Sequence, residues 1–319
     1  MTPNETEPGT PRRSLRRTVV SGLLVLVLVA AFAWALAGRW DEVVAALREQ
    51  HPLVVLASLA LCLLAVLMSF LLWRATLATL GSDVPARRVA RMFFLAQLGK
   101  YLPGSVWPVV AQMRMGRELG LPRARVGLAF LLTLGLSVLW GLVIGLAALP
   151  ALVAQEGRGF TAVLLALPLV LALLVPRVIN HLLDRVLRLM RRPPLDQPLS
   201  GRAVLRGSLW TIAFWVVFGL HVWVLAVGLG ADPVTALPVA VGGFALAFSI
   251  GPLLVVLPAG AGVREAVLVV LLSTVLSAPE ATAVALTSRG LLIVTDGLLA
   301  LAGAAVPLRH RAAQDATSR

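Results

Sequence analysis

Charged and redox-active residues are scarce in this sequence. Charged types make up 13% of the 319 residues, whereas a soluble domain carries about 25%, so most of the surface is expected to face lipid. Cys62 is the single cysteine, which excludes a disulfide framework and a cysteine-based metal site. The four histidines are scattered without ligand spacing, so no histidine metal site is expected either. We therefore predict no metal and no cofactor.

Long apolar runs make up most of the chain. Apolar types account for 59% of the residues and the mean hydropathy is +0.92. A run of 18 or more apolar residues can cross a hydrocarbon core about 30 Å thick. The sequence thus predicts an all-α polytopic membrane protein with full crossings at 19–37, 53–73, 124–149, 160–176, 207–229 and 282–306.

The chain ends are expected to add little to this membrane domain, which is predicted over 19–306. The run at 19–37 follows four arginines but has no small-residue cleavage site, so it is interpreted as a membrane helix rather than a cleaved signal peptide. The segments 1–18 and 307–319 are predicted to be cytoplasmic tails. Both are too short for a soluble transferase domain, and none is expected.

The distribution of positive charge predicts the orientation. A net charge of +13 would suggest nucleic acid in a soluble protein, but here the basic residues lie between apolar runs. With the N-terminus in the cytoplasm, 22 arginines fall in inner segments and three in outer segments. The positive-inside rule therefore predicts a plasma-membrane protein with both termini cytoplasmic and no nucleic-acid partner.

Two further apolar stretches are broken in the middle. The stretch 92–113 is interrupted at 99–105, and the stretch 239–278 is interrupted at 258–265. The first has arginines on both sides and only about 22 residues, too few for two crossings, so it is predicted to be a re-entrant hairpin that opens inward. The second lies between Asp232 and Glu280 and is predicted to open outward.

These stretches divide the chain into two similar halves. Residues 53–149 and 207–306 each follow the order helix, hairpin, helix, with opposite predicted orientations. An inverted repeat with broken helices in corresponding positions is typical of transporters, whose central site lies at the breaks. The alternative is two independent Pro/Gly kinks, which membrane helices tolerate.

The residues at the two breaks are suited to an anion. Half-helices that begin near Ser105 and Val263 would point free N–H groups at the tips. Lys100 is the only lysine and Tyr101 the only tyrosine of the chain, and ionisable groups at membrane depth are functional candidates. The candidate substrate-binding residues are Lys100, Tyr101, Pro103, Gly104, Ser105, Gly260, Gly262, Arg264, Glu265, Arg289 and Asp296; no catalytic residue is assigned.

Each charged candidate also has a structural interpretation. Lys100 could extend to the inner surface while its stem stays apolar. Arg264, Glu265, Arg289 and Asp296 could form two ion pairs that hold the hairpin to the last helix, or the acids could orient arginines that bind phosphate. The connector 177–206 contains a basic amphipathic helix expected on the anionic inner leaflet, with an ordinary solvated connector as the alternative.

Both broken stretches resemble one known family. The segments 97–108 and 257–265, the latter followed by Ser288 and Arg289, are similar to two motifs of the lysylphosphatidylglycerol synthase transmembrane region, a flippase-like membrane family. The resemblance covers about 20–306. It implies movement of aminoacylated phosphatidylglycerol between leaflets, a reaction that bifunctional members couple to a cytoplasmic aminoacyltransferase domain.

The sequence thus predicts a flippase for a phosphate-bearing lipid. Its substrate would be aminoacylated or plain phosphatidylglycerol or a polyprenyl-phosphate carrier. One alternative is a non-transporting membrane partner of a separate synthase or glycosyltransferase, which would bind through 177–206. The other is a membrane-embedded transferase, which is disfavoured because no nucleophile–base pair, metal cluster or nucleotide loop is evident.

Overall fold

The computed structural model describes residues 40–102, 106–148, 168, 172–189, 198–253 and 262–305. In this part of the chain all regular secondary structure is helical. The α-helices are α1 (Trp40–Glu49), α2 (Pro52–Thr79), α3 (Ala86–Gln97), α4 (Trp107–Glu118), α5 (Arg123–Gly145), α6 (Pro176–Leu189), α7 (Gly201–Gly228), α8 (Pro233–Leu253), α9 (Val263–Leu272) and α10 (Ala278–Ala304). Short 3-10 turns follow α3 (Leu98–Tyr101) and α5 (Leu146–Ala148).

Five of the described helices are long and apolar enough to cross a membrane: α2, α5, α7, α10 and the Pro233–Gly251 part of α8. The first four confirm predicted crossings. Side-chain caps precede two of these helices: Ser200 accepts from the Ala203 N–H before α7, and Ser277 with Glu280 forms a capping box before α10. The predicted crossing at 19–37 and most of the one at 160–176 lie outside the described residues, as do both tails.

Large apolar side chains on the outer surface agree with a lipid environment. Along α2, exposed leucines recur at helical spacing, at Leu53, Leu56, Leu64, Leu67 and Leu71. A soluble protein would not leave such a continuous stripe uncovered. The opposite face of the same helix is buried against the rest of the bundle.

The helices run between two chemically different ends. At one end, which we call the basic end, Arg125 donates to the Gly81 carbonyl and Arg91 donates to the Ala304 carbonyl. This end therefore gathers the end of α2, the starts of α3 and α5, and the end of α10. The opposite end, here the acidic end, holds the start of α2 beside the end of α7, where Gly228 lies against Val54.

The first hairpin has the predicted form. Gly99 packs against the backbone of Trp107 and Pro108, and Gly116 packs against Met92, so α3 and α4 are antiparallel. Each arm has 12 residues, or about 18 Å, too short to cross a 30 Å core. The hairpin begins and ends at the basic end, which makes the segment re-entrant.

The second hairpin opens to the acidic end, but its arms are unequal. Gly219 of α7 lies against Val241 of α8, and Gly243 of α8 lies against Leu271 of α9. Helix α9 has 10 residues and α8 has 21, or about 15 Å and 31 Å. Helix α8 therefore begins before the predicted stretch and continues through Pro238, and unlike either arm of the first hairpin it is long enough to cross a 30 Å core.

Helix packing agrees with the predicted inverted repeat. The two halves are α2–α5 and α7–α10, and α2 packs against its counterpart α7. Other contacts among these eight helices occur in matched pairs: α3 with α10 and α8 with α5, α4 with α5 and α9 with α10, α2 with α10 and α7 with α5. Exchanging the halves thus reproduces the same contacts, which two unrelated kinks would not do.

Small and polar residues make these close contacts. A Cβ at Gly141 would lie 2.0 Å from Ser249 Oγ, and one at Gly145 would lie 2.9 Å from the Leu246 Cβ, so this glycine pair packs α5 on α8. His221 of α7 is fully buried and has partners on α2 and α10; its backbone carbonyl accepts from the Ser58 hydroxyl at 3.0 Å. Its Nδ1 donates to the Phe218 carbonyl and its Nε2 accepts from the Ser288 hydroxyl at 2.8 Å.

Helix α6 uses its apolar face inside the protein. Ile179, Leu183 and Leu187 are buried in the main core, and the Asn180 side chain forms hydrogen bonds with both backbone groups of Leu199. The exposed positions include a basic set, Arg177, His181, Arg185 and Arg188. The location of this helix on a membrane surface stays a prediction.

Candidate functional site

Lys100 and Tyr101, on the 3-10 turn at the tip of the first hairpin, meet Asp296 of α10. The Lys100 Nζ lies 2.7 Å from Asp296 Oδ2, and the Tyr101 hydroxyl donates to the same oxygen at 2.5 Å. The Asp296 side chain is 2% exposed and the Lys100 side chain 25% exposed. One carboxylate oxygen therefore holds the hairpin tip against the last helix of the other repeat.

Arg264, Glu265 and Arg289 form a second charged cluster beside the first. Glu265 Oε1 lies 3.4 Å from Arg289 Nη1 and 3.6 Å from Arg264 Nη2. Arg289 also lies over the Tyr101 ring, 5.9 Å from its centroid, which connects the two clusters. Asp296 thus pairs with Lys100, while Glu265 serves both arginines, a division that the sequence did not indicate.

The cluster lies near the middle of the bundle. Arg289 follows the start of α10 by 11 residues, or about 16 Å along the helix axis, roughly half of a 30 Å core. Glu265 is at the same level because it contacts Arg289. Ionisable groups at this depth are costly and are usually paired or functional, and here they are both buried and paired.

The start of α9 already has an anionic partner. Gly262 has a φ of 84°, a left-handed conformation that favours glycine. Its N–H donates to Glu265 Oε2 at 2.7 Å. A carboxylate of the chain therefore occupies the place where the sequence predicted a ligand anion at this N-terminus.

A cavity of about 240 Å³ lies next to both clusters. Lys100, Arg264 and Arg289 line it, whereas Glu265 and Asp296 are not among its lining residues. The cations thus face the cavity and the acids lie behind them. These five groups carry a net charge of +1, so an anion entering the cavity meets a positive wall.

The walls of the cavity are largely aromatic. Phe248 lies 5.4 Å from the guanidinium carbon of Arg264, and Phe244 lies behind it at 5.8 Å. Such rings stabilise a buried cation through their π faces. The remaining aromatic lining comes from the hairpin tip and several helices and consists of Tyr101, Trp73, Phe93, Phe130, Phe214, Trp215 and Phe218.

Polar lining residues were missed by sequence reasoning. Gln112 of α4 is 1% exposed, and its Oε1 has no hydrogen-bond partner within the described segments. Gln97, Ser69, Thr133 and Ser137 add further polar groups to the lining. Uncharged polar residues within apolar helices give no sequence signal of their own, because their direction depends on packing.

The structure brings six predicted residues into one site: Lys100, Tyr101, Gly262, Arg264, Glu265 and Arg289, with Asp296 directly behind Lys100. Four other predicted residues, Pro103, Gly104, Ser105 and Gly260, lie outside the described residues. The site is therefore defined by the side chains that flank the two breaks and by their partners on α10.

The fold and the site define a class: an α-helical polytopic membrane protein with an inverted repeat and a cationic cavity between its halves. The family can also be stated. The chain belongs to the family described as the lysylphosphatidylglycerol synthase TM region, whose model matches residues 19–300. This is a family of membrane proteins linked to lipid synthesis and flipping. No curated protein matches the chain.

Proposed function

We propose that this protein moves a phosphate-bearing lipid between the two leaflets of the plasma membrane, with both termini in the cytoplasm. The carrying observation is the cavity at membrane depth, which presents Lys100, Arg264 and Arg289 to its interior while the acids lie behind. Phosphate oxygens are the natural ligands of such a set, since arginine and lysine form charge-assisted hydrogen bonds with them. The repeat architecture supplies the two halves that alternating access requires.

The size of the cavity supports a headgroup as its ligand. About 240 Å³ is below the usual range for a drug-sized pocket, roughly 300–1,000 Å³. A lipid would therefore place its phosphate and nearby atoms in the cavity and keep its acyl chains in the bilayer. The candidates are phosphatidylglycerol, its aminoacylated form and a polyprenyl phosphate.

The test is a flip assay in vesicles. Phosphatidylcholine vesicles that contain fluorescent phosphatidylglycerol are reconstituted with the protein, and movement is followed by dithionite quenching. Wild type should accelerate movement over protein-free vesicles, and fluorescent phosphatidylcholine should not respond. Lys100→Gln, which loses the ammonium, should slow movement by about tenfold or more, while Lys100→Arg should keep binding and slow transport because its planar fork prefers one geometry.

A matched control separates this effect from a general loss of positive charge. Arg88→Gln removes an exposed cation at the basic end and should leave the rate unchanged. Equal rates in wild-type and protein-free vesicles would reject the transport function. That result, together with co-purification of a soluble enzyme, would favour a membrane partner of a synthase or glycosyltransferase, for which the exposed basic face of α6 is the surface to test.

A further inference from the structure

Asp296 and Glu265 have different hydrogen-bond and ion-pair partners. Glu265 is tied to its own helix through the Gly262 N–H and also faces two arginines. Asp296 Oδ2 instead holds Lys100 and Tyr101, and both belong to the tip of a hairpin from the other repeat. Any movement of this tip relative to α10 changes the surroundings of Asp296 more than those of Glu265.

A bound phosphate competes with Asp296 for Lys100. Lys100 faces the cavity, and its ammonium is compact and flexibly tethered, so it can turn from the carboxylate to a phosphate oxygen. Asp296 would then be a buried carboxylate, 2% exposed, that has lost its cation. Leaving such a charge unpaired is strongly unfavourable, and a buried acid avoids this cost by binding a proton.

We propose that Asp296 is a proton-binding site that takes up one proton when the lipid phosphate binds, so that the lipid moves together with a proton. The inference rests on the proposed function. The step is a simple transfer in which hydronium gives its proton to Asp296 Oδ2 and leaves water. No bond at phosphorus changes. A phosphodiester anion and one proton together carry no net charge across the membrane.

The surroundings of Asp296 make it the group that responds to the ligand. Its own helix contributes Arg289, and the neighbouring elements contribute Lys100 and Tyr101 from the tip, Arg264 and Glu265 from α9, Cys62 from α2 and His221 from α7. The helices α1 and α3 also pack on α10, and their charged residues are Asp41, Glu42, Arg48, Glu49, Arg87, Arg88 and Arg91. The cations of both buried acids line the cavity, but Asp296 is held by Lys100 on the tip of the other repeat, whereas Glu265 keeps its own Gly262 N–H and two arginines.

The sign of the pH effect follows from this exchange. Acid favours the protonated form of Asp296, which releases Lys100 to the phosphate, so anion affinity should rise as the pH falls. For a single linked proton the change is about tenfold per pH unit over the pH range in which binding takes up one whole proton. Outside that range the affinity should become constant.

The direct test counts protons on binding. The full-length protein in detergent is titrated with dihexanoyl-phosphatidylglycerol by calorimetry in two buffers of different ionisation enthalpy, which gives the number of protons taken up. Wild type should take up about one proton per bound anion. Asp296→Asn, which imitates the protonated acid, should bind with pH-independent affinity and take up none. Asp83→Asn, the same change at a side chain that is 80% exposed, should behave as wild type.

The outcomes separate the two proposals. Binding by wild type without proton uptake, or unchanged uptake in Asp296→Asn, would overturn the proton site and leave the lipid site standing. No binding by wild type would overturn the proposed function and the proton site with it. A proton count of zero in wild type overturns the proton site by itself, so the proposal can be rejected even if Asp296→Asn does not fold.

Discussion

Lys100 lies on the wall of the cavity but pairs with an acid behind that wall. Its side chain is 25% exposed, and that of Asp296 is 2% exposed. The ammonium therefore points into the bundle, toward α10, rather than out to the basic end as the snorkelling alternative requires. Because Lys100 is partly exposed and Asp296 is buried, the ammonium can exchange the carboxylate for a phosphate oxygen in the cavity.

Removing only one member of this pair should be costly. Lys100→Ala leaves Asp296 as a buried carboxylate that has lost its cation, and we expect a loss of about 3 kcal/mol of stability. The double variant Lys100→Ala with Asp296→Asn removes both charges and should recover most of the thermal stability in detergent without recovering lipid movement. Recovery of both properties would show that the pair is structural.

Glu265 should stabilise the folded protein through its contacts with Arg264 and Arg289. Glu265→Gln keeps a cap for the Gly262 N–H but removes the carboxylate that faces Arg264 and Arg289, so we expect a loss of about 3–5 kcal/mol. Glu280→Gln is the matched control, because Glu280 is the corresponding residue of the capping box on α10 at the acidic end. Similar melting temperatures for the two variants would contradict a stabilising role of the Glu265–arginine contacts.

At the scale of residues, the sequence indicated which side chains belong to the site but not how they pair. Lys100 and Tyr101 stood out because each is the only residue of its type, and the arginines and acids stood out because charge is rare at membrane depth. The choice of Asp296 for Lys100 depends on a contact between distant parts of the chain. Gln112 could not be found, since its direction is set by the packing of α4.

Glycines decide how closely the helices of the repeat approach one another. A Cβ at Gly219 would lie 2.4 Å from the Cα of Val241, and this backbone atom can move away only if helix α8 shifts. Gly219→Ala should therefore separate α7 from α8 and destabilise the protein by about 1–3 kcal/mol or more. Gly135→Ala in α5, which meets nothing within 4 Å, should be neutral or slightly stabilising. Equal melting temperatures for the two variants would contradict the tight α7–α8 contact.

At the scale of elements, length and charge predicted the crossings α2, α5, α7 and α10 and the interruption between α3 and α4. The start of α8 at Pro233 was not predicted, because Pro238 looks like a helix boundary in a sequence. Within a bundle, neighbouring helices can support a proline inside an apolar helix. One turn after Pro238, α8 approaches the 3-10 turn after α5 closely: a Cβ at Gly242 would lie 2.7 Å from the Ala148 backbone nitrogen.

Opposite opening of the hairpins is the topological prediction for the whole molecule. In a Cys62→Ala background, a cysteine at Arg114 lies near the basic end and one at Asp232 lies at the acidic end. An impermeant maleimide should label the first only from the cytoplasmic side and the second only from outside. Labelling of both from one side would contradict the inverted repeat in the membrane.

The ends of the molecule differ in charge in a way that supports this orientation. Among the described residues, the acidic end includes Asp232 and Glu280, while the basic end includes the arginines that flank α3 and α4. The positive-inside rule predicts that the basic end lies in the cytoplasm. Charge counting could predict this asymmetry because it does not depend on side-chain packing.

The central claim for the whole molecule is that the cavity between the two halves holds a lipid phosphate. Native mass spectrometry of protein purified from its membrane in mild detergent tests it directly. Wild type should retain one phosphate-bearing lipid per chain, and Arg289→Gln, which removes a cation from the cavity wall, should lose it while Arg88→Gln retains it. Equal retention by wild type and Arg289→Gln, or retention of no phosphate-bearing lipid by wild type, would contradict the account.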